Sequence, residues 1–293
     1  VLFRSVNGDP PGMCTGYLAI LPEVGGMGGY TYAAGFGDGD VHFALPLFDA
    51  ESGRMLALLD GASMNPFKTG ATGAVAVDEL AREDARTCAV VGAGAQARGQ
   101  LKATATVRDF ETIRVFSPTP ESREAFAAEF DDRLDADVTA VDSSSAAVSG
   151  ADVVITATKA SVPVFDDDDL ADGAHVTAMG QYDRGKQEIP AETVARSTYV
   201  PDLRDRAFQD AGAFLAARDA DLIDDDHIHA ELGEVVAGNV PGRTSDEEVT
   251  VFDSGGTGIE TVAAAWGLYK RAKDRNLGET IEFAPGSEAL TGE

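Results

Sequence analysis

Residues 88–101 read CAVVGAGAQARGQL, and within them Gly92, Gly94 and Ala97 stand at the spacing G-x-G-x-x-A. A short apolar run precedes the glycines and a helix-forming pattern follows them, the context in which a chain wraps a dinucleotide pyrophosphate. There Gly92 permits the tight turn, Gly94 lets the backbone approach the phosphates, and Ala97 still lets helix and strand pack closely, while Ala95 and Gln96 open the helix with free amides. The next strand ends in RVFSPTPESREAF. A site for NAD usually carries Asp or Glu there to bind the ribose hydroxyls. Here Ser117 and Thr119 take that place and Arg123 lies one turn into the following helix. No carboxylate at the strand end repels a 2′-phosphate and a cation can reach it, so NADP is the preferred cofactor and NAD the alternative. The competing reading is that Arg123 only solvates a helix face, and Glu121 nearby works against the phosphate.

Two more groups fit a site at the carboxyl edge of such a sheet. TATKASVPVF puts Thr156, Ala157 and Thr158 at a strand end, where ligands sit in parallel sheets, although Thr158 could equally cap the turn that follows. Met179, Gly180 and Gln181 end the next strand and should face a nicotinamide, whose carboxamide Gln181 can bind. Earlier, SMNPFKTGATGAVAVDELARED offers Asn65 as an N-cap and Pro66 at the first helical position. A helix starting there puts Lys68 and Thr69 in a first turn whose free amides favour an anion.

The elements that must hold these groups follow from the pattern around them. From Tyr17 to Leu59, short apolar runs between Gly, Pro and Asp predict antiparallel hairpins. Beyond Arg82, strands and helices alternate: strand 88–91, helix 95–107, strand 112–116, helix 120–130, strand 137–141, helix 144–150, strand 153–157 and strand 175–179. Such alternation predicts a parallel sheet covered on both faces. A long amphipathic helix over 259–275 closes the pattern, and little structure is expected after Asn276. The opening VLFRS is unlike the rest and is set aside from the fold as foreign sequence.

Bulk properties narrow the class. With 293 residues, 44% of them hydrophobic, the chain can bury one large core or two medium ones. Its 50 acidic residues against 23 basic give a formal charge of −27 spread along the chain, which argues against nucleic acid or an anionic membrane as partner. Few lysines among dispersed carboxylates suit a protein kept soluble in high salt, so a halophilic source is the expectation, with an acidic mesophile surface as the alternative. Only Cys14 and Cys88 occur, and Cys88 falls in a predicted buried strand, which fits a reducing cytoplasm without a disulfide framework. No apolar run approaches the roughly 20 residues of a membrane span. The histidines, His42, His175, His227 and His229, show no metal-ligand spacing, so no metal is expected, and no GxSxG elbow occurs.

After Gly16 the chain resembles the ornithine cyclodeaminase and μ-crystallin family, which also contains archaeal alanine dehydrogenases and ketimine reductases. The likeness runs through VVGAGAQARGQL, SGADVVITAT, GKQEI and above all AELGEVVAGNVPGRTSDEEVTVFDSGGTGIE. It implies an α/β fold, a Rossmann doubly wound parallel sheet over 83–257 beside a smaller α+β substrate and dimerisation domain made of 6–82 and 258–285, and a homodimer. It also implies hydride transfer between a nicotinamide and the α-carbon of a small amino or imino acid. In that alignment Lys68, with Thr69 beside it, replaces the arginine that clamps the substrate carboxylate. Tyr30 replaces a substrate-binding lysine. Tyr182 replaces the catalytic aspartate, leaving Asp183 one residue away, and Thr261 replaces the aspartate of a late IED motif. Ser254, Gly255 and Gly256 resemble a wall of the cofactor pocket. Cyclodeamination asks the lost aspartate to serve several steps, whereas reduction of a formed C=N needs only a held carboxylate and a proton source. Imine reductase or amino-acid dehydrogenase therefore ranks first, ornithine cyclodeaminase second, and an NADPH-binding protein without turnover third.

Overall fold

The computed structural model describes residues 1–9, 12–37, 40–179, 183–283 and 286–287. In chain order it contains β1 (Leu2–Gly8), β2 (Gly12–Leu21), β3 (Gly26–Ala34), β4 (Phe43–Asp49), β5 (Met55–Asp60), α1 (Gly61–Leu80), β6 (Thr87–Val91), α2 (Ala95–Thr104), β7 (Thr112–Phe116), α3 (Pro120–Asp131), β8 (Asp137–Ala140), α4 (Ser144–Val148), β9 (Val153–Thr156), β10 (His175–Ala178), α5 (Ala191–Arg196), β11 (Thr198–Pro201), α6 (Arg204–Asp210), α7 (Gly212–Asp219), α8 (Leu232–Val236), β12 (Thr250–Asp253) and α9 (Gly258–Asp274). The chain divides into two compact units, Val1–Met64 with Thr257–Glu293, and Asn65–Gly256. Residues 65–82, grouped with the hairpins on sequence grounds, thus go with the parallel sheet.

The first unit is a five-stranded antiparallel sheet in the order β1-β2-β3-β4-β5. Its first strand runs in unbroken register with β2 from Leu2↔Leu18 to Gly8↔Gly12. The residues set aside at the start are therefore part of the sheet, because they complete the ladder on the free edge of β2. Along β2, Thr15, Tyr17 and Ala19 are buried at every second position, so one face is dry. That face packs on α9, whose Val262 and Ala265 join Tyr17, Tyr30, Leu45 and Leu47 in one core. Gly25 and Gly26 leave room for Trp266, whose ring lies 3.1 Å from where a Cβ on Gly26 would stand.

The second unit is a seven-stranded sheet in the order β11-β12-β10-β9-β6-β7-β8 with every pairing parallel. From β6 the chain winds outward to β8, then returns to β9 on the other side, so the strand order reverses between β6 and β9. A reversal of this kind opens a crevice at the carboxyl ends of the strands. All residues of β9, β10 and β12 are buried, as expected where helices cover both faces. His175 is part of that core: its ring nitrogens lie 2.9 Å from the Thr250 hydroxyl and 3.0 Å from that of Thr177, and burial pushes it down to about 3.

Helix α1 departs from the sequence expectation. It begins at Gly61, with Pro66 inside it, because Asp60 and not Asn65 caps it. The Asp60 carboxylate accepts from the Ala62 amide at 2.9 Å and from the Ser63 hydroxyl at 2.9 Å. Within the second unit α1 presses backbone to backbone on α2: a Cβ on Gly99 would stand 2.1 Å from the Pro66 carbonyl oxygen, and one on Gly70 2.3 Å from the Gly99 oxygen. Small residues at both positions permit that approach, and the Gln100 side chain locks it by donating to the Thr69 carbonyl at 2.8 Å.

Candidate active site

The glycine turn sits at the reversal point. Gly92 has φ +119°, and a Cβ there would stand 2.3 Å from the Ala157 carbonyl oxygen, so the turn is pinched against the end of β9. The Gly92 amide is satisfied by the Phe116 carbonyl at 2.8 Å. Gly94 caps α2 with extended backbone and no side-chain hydrogen bond. Gly94 and Ala95 are exposed, and none of the described residues stands within 4 Å of the Cβ position of Gly94. Four amides of a helix N-terminus lack intrahelical partners, and among the described residues no side chain caps this one. A bare, uncapped turn at the reversal point fits a pyrophosphate. Ala97 is fully buried beneath it, and Arg98 pins the turn from behind through the Ala93 carbonyl and Glu129, the latter at 2.8 Å.

At the end of β9, Thr156 is buried while Ala157 and Thr158 are half-buried. Both threonines serve one buried carboxylate, that of Glu188. Glu188, 3% exposed, accepts from the Thr156 hydroxyl at 3.1 Å, the Thr158 amide at 2.6 Å and the Thr158 hydroxyl. It thereby fixes the segment on which Gly92 rests. The one sequence signal for it was a glutamate inside the apolar end of GKQEI.

The end of β12 carries a second buried acidic group. Asp253 receives the Tyr199 hydroxyl at 2.5 Å, and Asp202 accepts from the Ser254 hydroxyl at 3.1 Å and the Gly256 amide at 2.6 Å. Arg206 donates to the carbonyls of Gly255 and Gly256 at 2.5 and 2.6 Å. The Ser254–Gly256 loop is thus gripped from both sides. Burial pushes the Asp253 carboxyl up to about 7; the Tyr199 and Arg206 contacts oppose the rise, while Asp202 and Glu188 add to it. The folded chain therefore keeps a proton that the unfolded chain releases from about pH 4 upward. The contribution of Asp253 to stability therefore falls as pH rises from about 4 to 7 and is constant above that window. Asp253→Asn, which keeps an acceptor for Tyr199, should remove a loss on the order of 4 kcal/mol across the window. Urea midpoints at pH 5 and pH 8 check this, and an equally steep fall in both proteins counts against it.

Lys68 and Thr69 lie inside α1, buried at 2% and 8% exposure. They are not in a first turn, so helix-end amides do not serve an anion there. Thr69 links the two sets of candidates: its hydroxyl lies 2.5 Å from the Gln96 side-chain oxygen, at the start of α2. Ser117 is buried and Thr119 is the exposed N-cap of α3, without a side-chain cap bond. Arg123 is not simply solvated. It donates to the Ser117 carbonyl at 3.1 Å and to Asp142 at 2.5 Å.

Met179 is half-buried after β10, its amide bonded to the Thr156 carbonyl at 3.0 Å. Gly180, Gln181 and Tyr182 lie outside the described residues. Asp183 is exposed and accepts from the Gly185 amide at 3.0 Å. Tyr30, 4% exposed, belongs to the core of the first unit, edge-on to Phe43 at 5.2 Å and tilted to Tyr17 at 5.0 Å, which is a packing environment for its ring. Thr261 is buried and donates to the Thr257 carbonyl at 2.8 Å. Ring nitrogens of His227 and His229 lie 2.8 Å from the carbonyl oxygens of Val194 and Pro241, and among the described residues no three metal-ligating side chains converge.

The parallel sheet and its uncapped glycine turn define a Rossmann-type α/β protein. The sequence profile of the ornithine cyclodeaminase/mu-crystallin family matches residues 37–276, and the chain belongs to that family. A Delta(1)-pyrroline-2-carboxylate reductase of Bacillus cereus is 37% identical over 238 residues, 81% of this chain and 73% of that protein. The structure of Thermococcus litoralis Delta(1)-pyrroline-2-carboxylate reductase in complex with NADH and L-proline is similar with a TM-score of 0.90 at 30% identity, covering 96% of this chain and 89% of that one. An archaeal alanine dehydrogenase dimer with bound NAD gives 0.88 at 29% identity, covering 97% and 88%.

Proposed function

We propose that the chain is an NAD(P)H-dependent imine reductase acting on a small cyclic imino acid of the pyrroline-2-carboxylate type. The observation that carries this reading is the connection inside the second unit between the bare glycine turn and a buried cation. Gln96, in the first turn of α2, meets Thr69, and Lys68 is the next residue on the same stretch of α1. A nicotinamide held by the glycine turn would, when bound, supply the hydride that reduces the carbon of the C=N bond. Lys68 holds the substrate carboxylate, and Asp183, with Tyr182 beside it in sequence, handles the proton that the nitrogen gains. Glu188 keeps Thr156 and Thr158 in place at the strand end, and the gripped Ser254–Gly256 loop forms a further wall.

The phosphorylated cofactor is the preferred one on this reading, since the end of β7 has no carboxylate and Arg123 stands beside it. Assembly as a homodimer in the cytoplasm agrees with the dimeric archaeal relative and with a chain whose two cysteines are both free. The test is an assay in dilute buffer and in molar salt. NADPH and NADH oxidation is followed with Δ1-pyrroline-2-carboxylate, and ammonia release with L-ornithine and NAD. Oxidation of cofactor with proline formed is the expected result. Ammonia without net cofactor change would make the chain a cyclodeaminase, and tight cofactor binding with no turnover across imines and amino acids would make it a binding protein.

A further inference from the structure

Arg123 is the cation on which the cofactor preference rests, and the structure gives it a counter-charge. Its side chain is 12% exposed, lies with Cζ 5.9 Å from the Phe116 ring centroid, and donates through Nη1 to the Ser117 carbonyl and through Nη2 to Asp142. Asp142 follows β8 and precedes α4, and its side chain is 98% exposed. The carboxylate comes from the loop between β8 and α4, whereas the arginine stands on α3. It is pulled onto the guanidinium from the solvent side, and a 2′-phosphate at the end of β7 would have to share that guanidinium with it.

We infer that Asp142 is a positioning residue that sets cofactor specificity: by occupying Arg123 it weakens the hold on a 2′-phosphate and leaves NADH usable beside NADPH. This rests on the dinucleotide reading above. Two physical effects point the same way. A guanidinium already paired with a carboxylate offers less net charge to a phosphate. The carboxylate also repels a phosphate of charge near −2, and Glu121 in the first turn of α3 adds to that repulsion. Because Asp142 is exposed, water and salt screen both effects, so the size is modest, about three- to fivefold in affinity at low ionic strength and less in molar salt.

The experiment compares the parent with Asp142→Asn, whose exposed site leaves folding undisturbed. Dissociation constants for NADPH and NADH are measured by fluorescence, and those for 2′,5′-ADP and 5′-AMP by calorimetry, all at low and molar salt. Expected is a three- to fivefold tightening for NADPH and 2′,5′-ADP in the variant, NADH and 5′-AMP unchanged within twofold, and a gain that shrinks in salt. In an Arg123→Met background the same change should shift the NADPH to NADH ratio by less than twofold. An unchanged ratio, or weaker NADPH binding because Asp142 in fact orients the guanidinium for the phosphate, overturns the inference while leaving the dinucleotide reading intact. Failure of the parent to bind either dinucleotide removes both.

Discussion

Gly92→Ala is expected to abolish productive dinucleotide binding, with Kd rising about 100-fold or more. The added Cβ would stand 2.3 Å from the Ala157 carbonyl oxygen, far inside van der Waals contact, and at φ +119° the backbone conformation is one that alanine resists. Relief requires either β9 to retreat or the turn to rotate. The first is opposed by Glu188, which fixes Thr156 and Thr158 on either side of the contact. The turn therefore moves, and the amides at the start of α2 lose their aim. Strain of this kind costs about 1–3 kcal/mol, and displaced phosphate contacts add to it, while each 1.4 kcal/mol is worth about tenfold in affinity. Fluorescence titration with NADPH measures the loss. The control is Gly94→Ala: none of the described residues stands within 4 Å of the Cβ position there and the backbone is already extended, so the fold should be untouched while affinity falls. Equal affinity of Gly92→Ala and the parent would show that the turn does not hold the cofactor.

The parts of this protein that sequence made legible are those written in local chemistry. The glycine turn needs three positions in one short stretch, and the strands around it are short apolar runs that cannot be exposed. Helix α9 has a long enough amphipathic period to be read within one residue at each end. Where the reading missed, the deciding contact was elsewhere in the chain or competed with an equally good local signal. Asn65-Pro66 is a fair start for a helix, but Asp60 reaches Ala62 and Ser63 five residues earlier and begins it sooner. The strands β11 and β12 and the helices α5 to α8 are four to eight residues long, too short for a period to show. The role of Glu188 depends on a partner some 30 residues away, and that of Asp142 on one 19 residues away. Tyr30 aligns with a polar position of the family, and its ring packs with Tyr17, Tyr32 and Phe43, contacts that a local sequence pattern does not announce.

The earlier start of α1 changes what is expected of Lys68. Were the helix to begin at Pro66, free amides would share the task of holding a carboxylate, and losing the lysine would be partly compensated. With the helix beginning at Gly61, the amides around Lys68 lie within it, and the charge that meets an anion there has to come from the side chain itself. Burial strengthens the effect, because a charge 2% exposed is little screened by water. Lys68→Met, which keeps the length of the stem, should therefore lower kcat/KM for the imino acid by about 100-fold, the scale of a charged hydrogen bond lost from a dry site. Most of the loss should fall on KM if the lysine holds ground state and transition state alike. NADPH affinity should stay within twofold, since the Thr69 and Gln96 contact that ties α1 to the glycine turn is kept. Steady-state kinetics beside a cofactor titration separate these quantities. A variant that binds both ligands and turns over as the parent does would mean that Lys68 is a buried structural cation, and the substrate carboxylate would have to be sought elsewhere.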